Sequence, residues 1–163
     1  MRKLAFLVPF AAATAVAASV HAQPTGVSGT LDPAFQDKAE ELGLPEVRDQ
    51  MDRLGDIVHR ALADAPALTG ARVELVVTDL KPNRPTMEQM RDRPGLDPIQ
   101  SISIGGAAIE GRIVTADGTV QPVRYRWFTN NLADVHAAGV WSDAERAYRR
   151  LAANLEAGRY AQR

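Results

Sequence analysis

The sequence predicts an α+β domain: a small, mostly antiparallel sheet of three to four strands with helices packed on one face. Three observations carry this reading. Two apolar stripes of helical period occupy the first half, at Phe35, Ala39 and Leu42 and then at Val47, Met51, Leu54, Val58, Ala61 and Leu62. Short β-branched, alternating segments follow at residues 73–80 and between residues 101 and 127. A last helical stripe, Ala144, Ala147, Tyr148, Leu151, Ala152 and Leu155, closes the chain. Strands grouped between helices pack as a sheet layer against a helix layer.

The chain opens with Met1-Arg2-Lys3, then an uncharged, alanine-rich apolar run over residues 4–20, then Val20-His21-Ala22. A basic start, an apolar stretch and small residues at the cleavage positions predict a secretory signal peptide over residues 1–22, cut between Ala22 and Gln23. The run is short for a retained anchor, and only one arginine precedes it, which gives no twin-arginine signal. Residues 23–31 are small and polar around Val27, a loop or a short strand. Residues 32–158 are expected to form a single α+β domain, with residues 159–163 as a frayed tail.

Asp32 before Pro33 marks a helix start, with Asp32 as N-cap and Pro33 at the first helical position. Gly43 ends that helix and Pro45 can start the next, whose acidic and basic residues lie off the apolar stripe. Within residues 73–80, Val73, Leu75 and Val77 share one face, and Glu74, Val76 and Thr78 share the other. Residues 81–98 then form an 18-residue stretch with four prolines, in which Thr86-Met87-Glu88-Gln89 can cap a single helical turn. Loops of this length inside compact domains are uncommon and are often functional or disordered.

Between Ile104 and Ala107 the apolar alternation changes parity across Gly105-Gly106. A strand changes face only through an extra residue, so the pair reads as a β-bulge within one long bent strand. A phosphate-cradling loop would need a helix to follow, and strand follows here. Asp117-Gly118 is a hairpin turn. A three-residue loop, Ala116-Asp117-Gly118, sets Ile109 opposite Tyr125, Gly111 opposite Val123 and Glu110 opposite Arg124, so this register is expected, with Gly118 left-handed. At the last helix, Ser142 and Glu145 fit a capping box, Asp143 suits the helix dipole, and Gly158 is the stop.

There is no cysteine in the chain. That excludes a lipid-carrying cysteine, disulfides, a thiol nucleophile and cysteine metal sites. With the signal peptide this predicts a soluble periplasmic or secreted protein that is not a lipoprotein. Without Arg2 and Lys3 the 19 basic side chains become 17 against 20 acidic ones, a formal charge of −3. Such a balance argues against nucleic-acid binding. No segment after the signal peptide is long and apolar enough to span a membrane.

Motifs for chemistry are sparse. Neither a G-x-S-x-G elbow nor an H-E-x-x-H helix is present. Asp56 and His59 share a helix face, but two ligands are too few for a metal. Asn130, Asn131, Asp134, His136 and Asp143 offer oxygen and nitrogen ligands without the spacing of a calcium loop, and turn and capping roles account for them. No catalytic residue, metal site or cofactor is predicted. The carboxylates Asp79, Glu88, Asp92 and Asp97 surround the proline-rich stretch, and a small envelope hydrolase would need two of them to converge. Two surfaces could bind a partner: the proline-rich stretch with Lys81, Asn83, Arg84, Arg91 and Arg93, and the sheet face with Arg112, Arg124 and Arg126. Of these, Arg84, Arg91, Arg112, Arg124 and Arg126 are the candidate partner-binding residues, since guanidinium groups suit carboxylates and phosphates. A solvated sheet face with protective charges is the stronger reading of the sheet arginines.

The stretches "VELVVTDLKPNRPTMEQM", "SIGGAAIEG" and "YRWF" followed by "WSDAERAYRRLAANL" resemble a group of small exported proteobacterial proteins of unknown function. K-P-N-R-P, S-I-G-G-A, Y-R-W and W-S-D-A carry the resemblance, which spans roughly residues 27–155. It implies an envelope location and a single α+β domain, and brings no catalytic residue with it. Some such proteins are lipid-anchored, which this chain's lack of cysteine does not allow. The expected function is therefore a non-enzymatic binding or accessory domain of the envelope, taking an envelope protein or an acidic ligand. The alternatives are the small hydrolase and a domain that oligomerises through its sheet edge.

Overall fold

A computed structural model of the chain describes residues 26–63, 65–135 and 139–161. The signal-peptide reading and His136 fall outside them. The order of elements is β1 (Gly26–Leu31), α1 (Gln36–Leu42), α2 (Leu44–Ala63), β2 (Arg72–Lys81), α3 (Met87–Asp92), β3 (Gly106–Val114), β4 (Val120–Phe128) and α4 (Ser142–Glu156). This is an α+β fold with one four-stranded sheet in the order β1-β2-β3-β4.

The sheet is mixed. β2, β3 and β4 are antiparallel neighbours, but β1 pairs parallel with β2, Val27 opposite Val73 and Leu31 opposite Val77. The expected mostly antiparallel sheet is corrected at this edge. The cause is the connection. A hairpin joins antiparallel strands, whereas a parallel pair needs a crossover, and α1 and α2 supply one.

The helices start and stop where their residues dictate. Asp32 Oδ1 accepts from Ala34 N at 2.8 Å and opens a 3₁₀ turn at Pro33–Phe35, which runs into α1. Gly43 closes α1 and passes the chain to α2. Phe35, Ala39 and Leu42, then Val47, Leu54, Val58 and Leu62, are buried as their periodicity predicts. Gln50, off the stripe in sequence, is also buried, and its Oε1 has no hydrogen-bond partner among the described residues.

One cluster forms the core. Val73, Leu75, Val77, Ile109, Ile113, Val123 and Tyr125 of the sheet join Leu54 and Val58 of α2 and Ala147, Tyr148 and Leu151 of α4. α2 touches β1 and α4, and α4 touches β3 and β4. The hairpin register is the expected one throughout: Ile109 faces Tyr125, Gly111 faces Val123, and Thr115 N donates to Thr119 O at 3.0 Å across the turn. Gly118 has φ +84°. Asp117 accepts from Thr115 Oγ1 and from both the backbone and side chain of Thr119, which fastens the turn.

Three local expectations are corrected. First, β3 begins at Gly106, so Gly105-Gly106 is not a bulge inside a longer strand. The bulge lies in the facing strand, where Val77 pairs with Ile109 but Asp79 pairs with Ala108, leaving Thr78 as the extra residue. The same slip carries burial from Val77 to Leu80. The glycines serve close approach instead. Gly106 has φ +146°, and a Cβ there would stand 2.6 Å from Phe128 Cα and collide with the Trp127 carbonyl. A Cβ on Gly105 would stand 2.7 Å from the Asn83 amide. Second, Trp141 and not Ser142 is the N-cap of α4. Ser142 Oγ instead accepts from Gly139 N at 3.1 Å, and Glu145 pairs with Arg53 and Arg149. Third, residues 159–161 run beside β4, where Arg124 N donates to Tyr160 O at 2.9 Å.

Candidate binding groove

A buried polar node organises one end of the molecule. Asp143, 1% exposed in the first turn of α4, accepts from Asn83 Nδ2 at 2.6 Å and from Thr129 Oγ1 at 2.7 Å. Asn83 Oδ1 returns a bond by accepting from Asp143 N at 2.8 Å. Arg146, one turn on, meets the other carboxylate oxygen at 3.2 Å. The Asn83 amide also donates to Ser103 O at 3.2 Å, and its backbone N–H donates to Val140 O at 2.7 Å. A buried charge is tolerated only when its lone pairs are filled in this way.

The node joins segments far apart in sequence. Lys81-Pro82-Asn83 leaves β2, residues 103–106 enter β3, Thr129 follows β4, and Trp141 to Ala144 opens α4. These are the stretches K-P-N-R-P, S-I-G-G-A, Y-R-W-F-T and W-S-D-A. Sequence reasoning treated them separately. Asn83 stood among the polar residues of the proline-rich stretch, and nothing in its own neighbourhood pointed to Asp143 or Thr129 as partners.

Over this node lies a groove of about 460 Å³ between the proline-rich stretch and residues 101–104. Lys38, Lys81, Arg84 and Arg93 line it and no carboxylate among the described residues does, although Glu41 beside it pairs with Lys38 at 2.5 Å and with Arg93 at 3.9 Å. Pro82, Pro85, Leu96, Ile102 and Ile104 give it an apolar floor. Ile102 and Ile104 are 46% and 41% exposed, unusual for isoleucines beside a folded core. The Arg84 guanidinium donates to the Pro98 and Ile99 carbonyls, which fixes its position. Asp97 holds that turn by accepting from Gln100 N at 2.6 Å and Ile99 N at 2.7 Å. Those two bonds lower its pKa below the ordinary carboxylate range. A second depression adjoins the first through Lys81 and Ile104 and extends to Arg126, Phe128 and Asn130. There Lys81 and Arg126 both stack on Phe128, 5.1 and 5.0 Å from the ring centre.

The five arginines singled out in the sequence do not form one cluster. Arg84 and Arg126 lie in the two adjoining depressions. Arg91 is on α3, paired with Glu88 at 2.9 Å. Arg112 meets Glu74 at 2.7 Å, and Arg124 meets Glu110 at 3.4 Å. Arg112 lowers the Glu74 pKa further with help from Arg72. The middle of that sheet face is thus a ladder of opposite charges that satisfy one another. Lys81 and Arg93, which lie on the proline-rich stretch read as a possible binding loop, also line the groove, and Lys38, Ile102 and Ile104, which sequence reasoning did not join to it, complete it.

The carboxylates of the hydrolase alternative are dispersed. Asp79 sits 4.0 Å from Lys81, Glu88 pairs with Arg91, Asp97 caps its turn, and Asp92 is exposed on α3. None lines the groove. Asp56 and His59 border a shallow depression with Val27 and Met51. Asn131 caps a 3₁₀ turn and Asp143 belongs to the buried node, so the asparagine–aspartate series does not converge. Among the described residues no group of three or more His, Cys, Asp or Glu is placed to hold a metal ion. No helix among them is long and apolar enough to cross a membrane.

No family model, curated protein or solved structure matches the chain.

Proposed function

We propose that this protein is an exported accessory domain of the cell envelope that binds an acidic partner and is not an enzyme. In this reading residues 1–22 are removed, and the domain works in the periplasm or outside the cell. The helices cover one face of the sheet, and the binding surface lies at the end of the other, where the groove opens. The observation that carries the reading is the lining: four cations, an apolar floor and, among the described residues, no carboxylate. Cations gathered over apolar, low-dielectric walls concentrate anionic ligands. The fixed guanidinium of Arg84 and the paired stack of Lys81 and Arg126 on Phe128 supply preorganised donors for carboxylate or phosphate.

The test is binding of poly-L-glutamate to the mature protein and to the double variant Lys81→Glu/Arg84→Glu. The wild type is expected to bind in low salt, and the double variant to bind at least ~10-fold more weakly, about 1.4 kcal/mol. A control variant, Arg112→Glu, reverses an exposed charge in the self-paired ladder and is expected to change binding less. Equal losses in both variants would show general charge attraction and remove the groove as the site.

A further inference from the structure

The groove end of the molecule turns apolar side chains outward. Ile99, Ile102 and Ile104 are 74%, 46% and 41% exposed, half of the six large apolar side chains that stand exposed among the described residues, and all three fall within one six-residue segment. An apolar patch gathered in this way marks a surface that meets something apolar. The segment is fixed, not slack. Asp97 Oδ1 accepts from Ile99 N and Gln100 N, Ser101 Oγ accepts from Asp97 N at 3.0 Å, and Ser103 Oγ donates to Pro82 O at 2.6 Å. The serines between the isoleucines are thus tied to the protein, while the isoleucines keep apolar area in water that a contact would remove. Cations share this face. Arg84 reaches the carbonyls of Pro98 and Ile99, at the root of the patch. Lys81 and Arg126 stack on Phe128 in the depression that Ile104 also lines. Lys81 meets Asp79 only at 4.0 Å, and Arg126 makes no ion pair among the described residues.

We infer that this face docks on the surface of an anionic phospholipid bilayer, which rests on the acidic-partner reading above and makes that partner a lipid surface. Ile99, Ile102 and Ile104 enter the boundary between headgroups and acyl chains, and Lys81, Arg84 and Arg126 meet lipid phosphates. A bilayer interface offers both chemistries together, since anionic phosphates lie directly over acyl chains. Shallow apolar insertion ringed by basic side chains is how peripheral surfaces hold to it. Long basic side chains suit the rim, because their stems rest in apolar surroundings while their heads reach the phosphates. A small acidic ligand confined to the groove is the poorer occupant: Ile99, the most exposed of the three, does not line the groove and would stay in water. An acidic polypeptide answers the cations but needs matching apolar side chains for three isoleucines on the same face, whereas the lipid interface supplies an apolar layer beneath the charged one without any sequence match.

The experiment uses the mature chain with vesicles of phosphatidylcholine alone, vesicles of phosphatidylcholine and phosphatidylglycerol in equal parts, and poly-L-glutamate. Co-sedimentation gives vesicle affinity. The chain has no cysteine, so an environment-sensitive dye is placed uniquely on Ile99→Cys, or on Val120→Cys at the opposite end of β4 as a control. The expected result is binding at least tenfold tighter to the anionic vesicles, with a blue shift of the dye at 99 and none at 120. Ile99→Ser/Ile102→Ser changes only exposed side chains. It is expected to weaken vesicle binding at least tenfold and to leave poly-L-glutamate binding within about threefold, because it keeps every cation. Lys81→Glu/Arg84→Glu weakens both at least tenfold. Binding of poly-L-glutamate without binding of anionic vesicles overturns the inference, leaves the acidic-partner reading standing and makes the partner a polypeptide. Vesicle binding that the serine variant retains, or that leaves the dye at 99 unshifted, is charge adsorption alone and also overturns it. If neither anionic vesicles nor poly-L-glutamate bind, both readings fall. Vesicle binding with the dye shift but without poly-L-glutamate binding upholds the inference and makes the lipid surface the sole acidic partner.

Discussion

Asp143 shows how one residue can serve two scales of structure. In sequence it sits where a helix dipole favours an acid, and it does lie in the first turn of α4. Its larger task is to tie Asn83, Thr129 and Arg146 beneath the groove. Removing one partner of a buried, charge-assisted set leaves the others unsatisfied. Asp143→Ala is therefore expected to lower stability by at least ~2 kcal/mol in urea denaturation. Asn83→Ala should share that loss, so the double variant should fall short of the sum of the singles by ~1 kcal/mol or more. Strict additivity would mean that the node is not a unit. Gly106 gives a second residue-level outcome. Gly106→Ala meets backbone, which cannot swing aside, and should cost more than ~2 kcal/mol. Gly55, in mid-helix with open space around its Cα, is the contrast. Gly55→Ala should stabilise by ~0.5–1 kcal/mol through helix propensity alone. Neither the node nor the glycine contacts could be read from sequence, because each depends on segments brought together only by the fold.

Elements were legible where their signal is local. The β3–β4 hairpin was readable to the residue, since turn type, apolar alternation and the Glu110–Arg124 pair all demand one register. That pair is exposed, so its worth is small. A charge-swap cycle at Glu110 and Arg124 should give a coupling below ~1 kcal/mol. The turn itself carries a pH signature. Thr115 and then Thr119 hold the Asp117 carboxyl below its ordinary range. A carboxyl lowered in the folded state adds stability above the ordinary carboxylate range, and that stability is lost as pH falls through the lowered value. The fall in Tm from pH 6 to pH 2.5 should thus be smaller in Asp117→Asn than in the wild type; an equal fall would remove Asp117 as a contributor. Elements were misread where the signal is not local. β1 is too short and polar to declare its direction, and only the helical crossover makes it parallel. The parity change across Gly105-Gly106 is no strand slip, because Ile102 and Ile104 are exposed and precede β3, while the bulge lies in β2, where burial passes from Val77 to Leu80. Ser142-x-x-Glu145 fits a capping box by spacing, yet Glu145 is held by Arg53 and Arg149.

At the scale of the molecule, the two sheet-face ends differ in a way that composition conceals. The sheet face of Glu74, Glu110, Arg112 and Arg124 is a ladder of opposite charges, while the groove end sets four cations beside exposed isoleucines and the Phe128 ring. Of the arginines singled out in the sequence, Arg84 and Arg126 line the two depressions and Arg91, Arg112 and Arg124 pair with neighbouring carboxylates, because pairing across strands is set by register and not by composition. Export is a prediction of the same scale: N-terminal sequencing of the secreted or periplasmic protein should begin at Gln23, and a start at Met1 would contradict cleavage. The most direct measurement of the account is position-specific photo-crosslinking in the intact envelope. A photoreactive side chain is placed in turn at Ile104 in the groove, at Pro122 on the sheet face and at His59 beside α2. The account predicts a discrete crosslinked product from Ile104 that is lost in Lys81→Glu/Arg84→Glu and is absent from the other two positions. A product from Pro122 or His59 with none from Ile104 would contradict it.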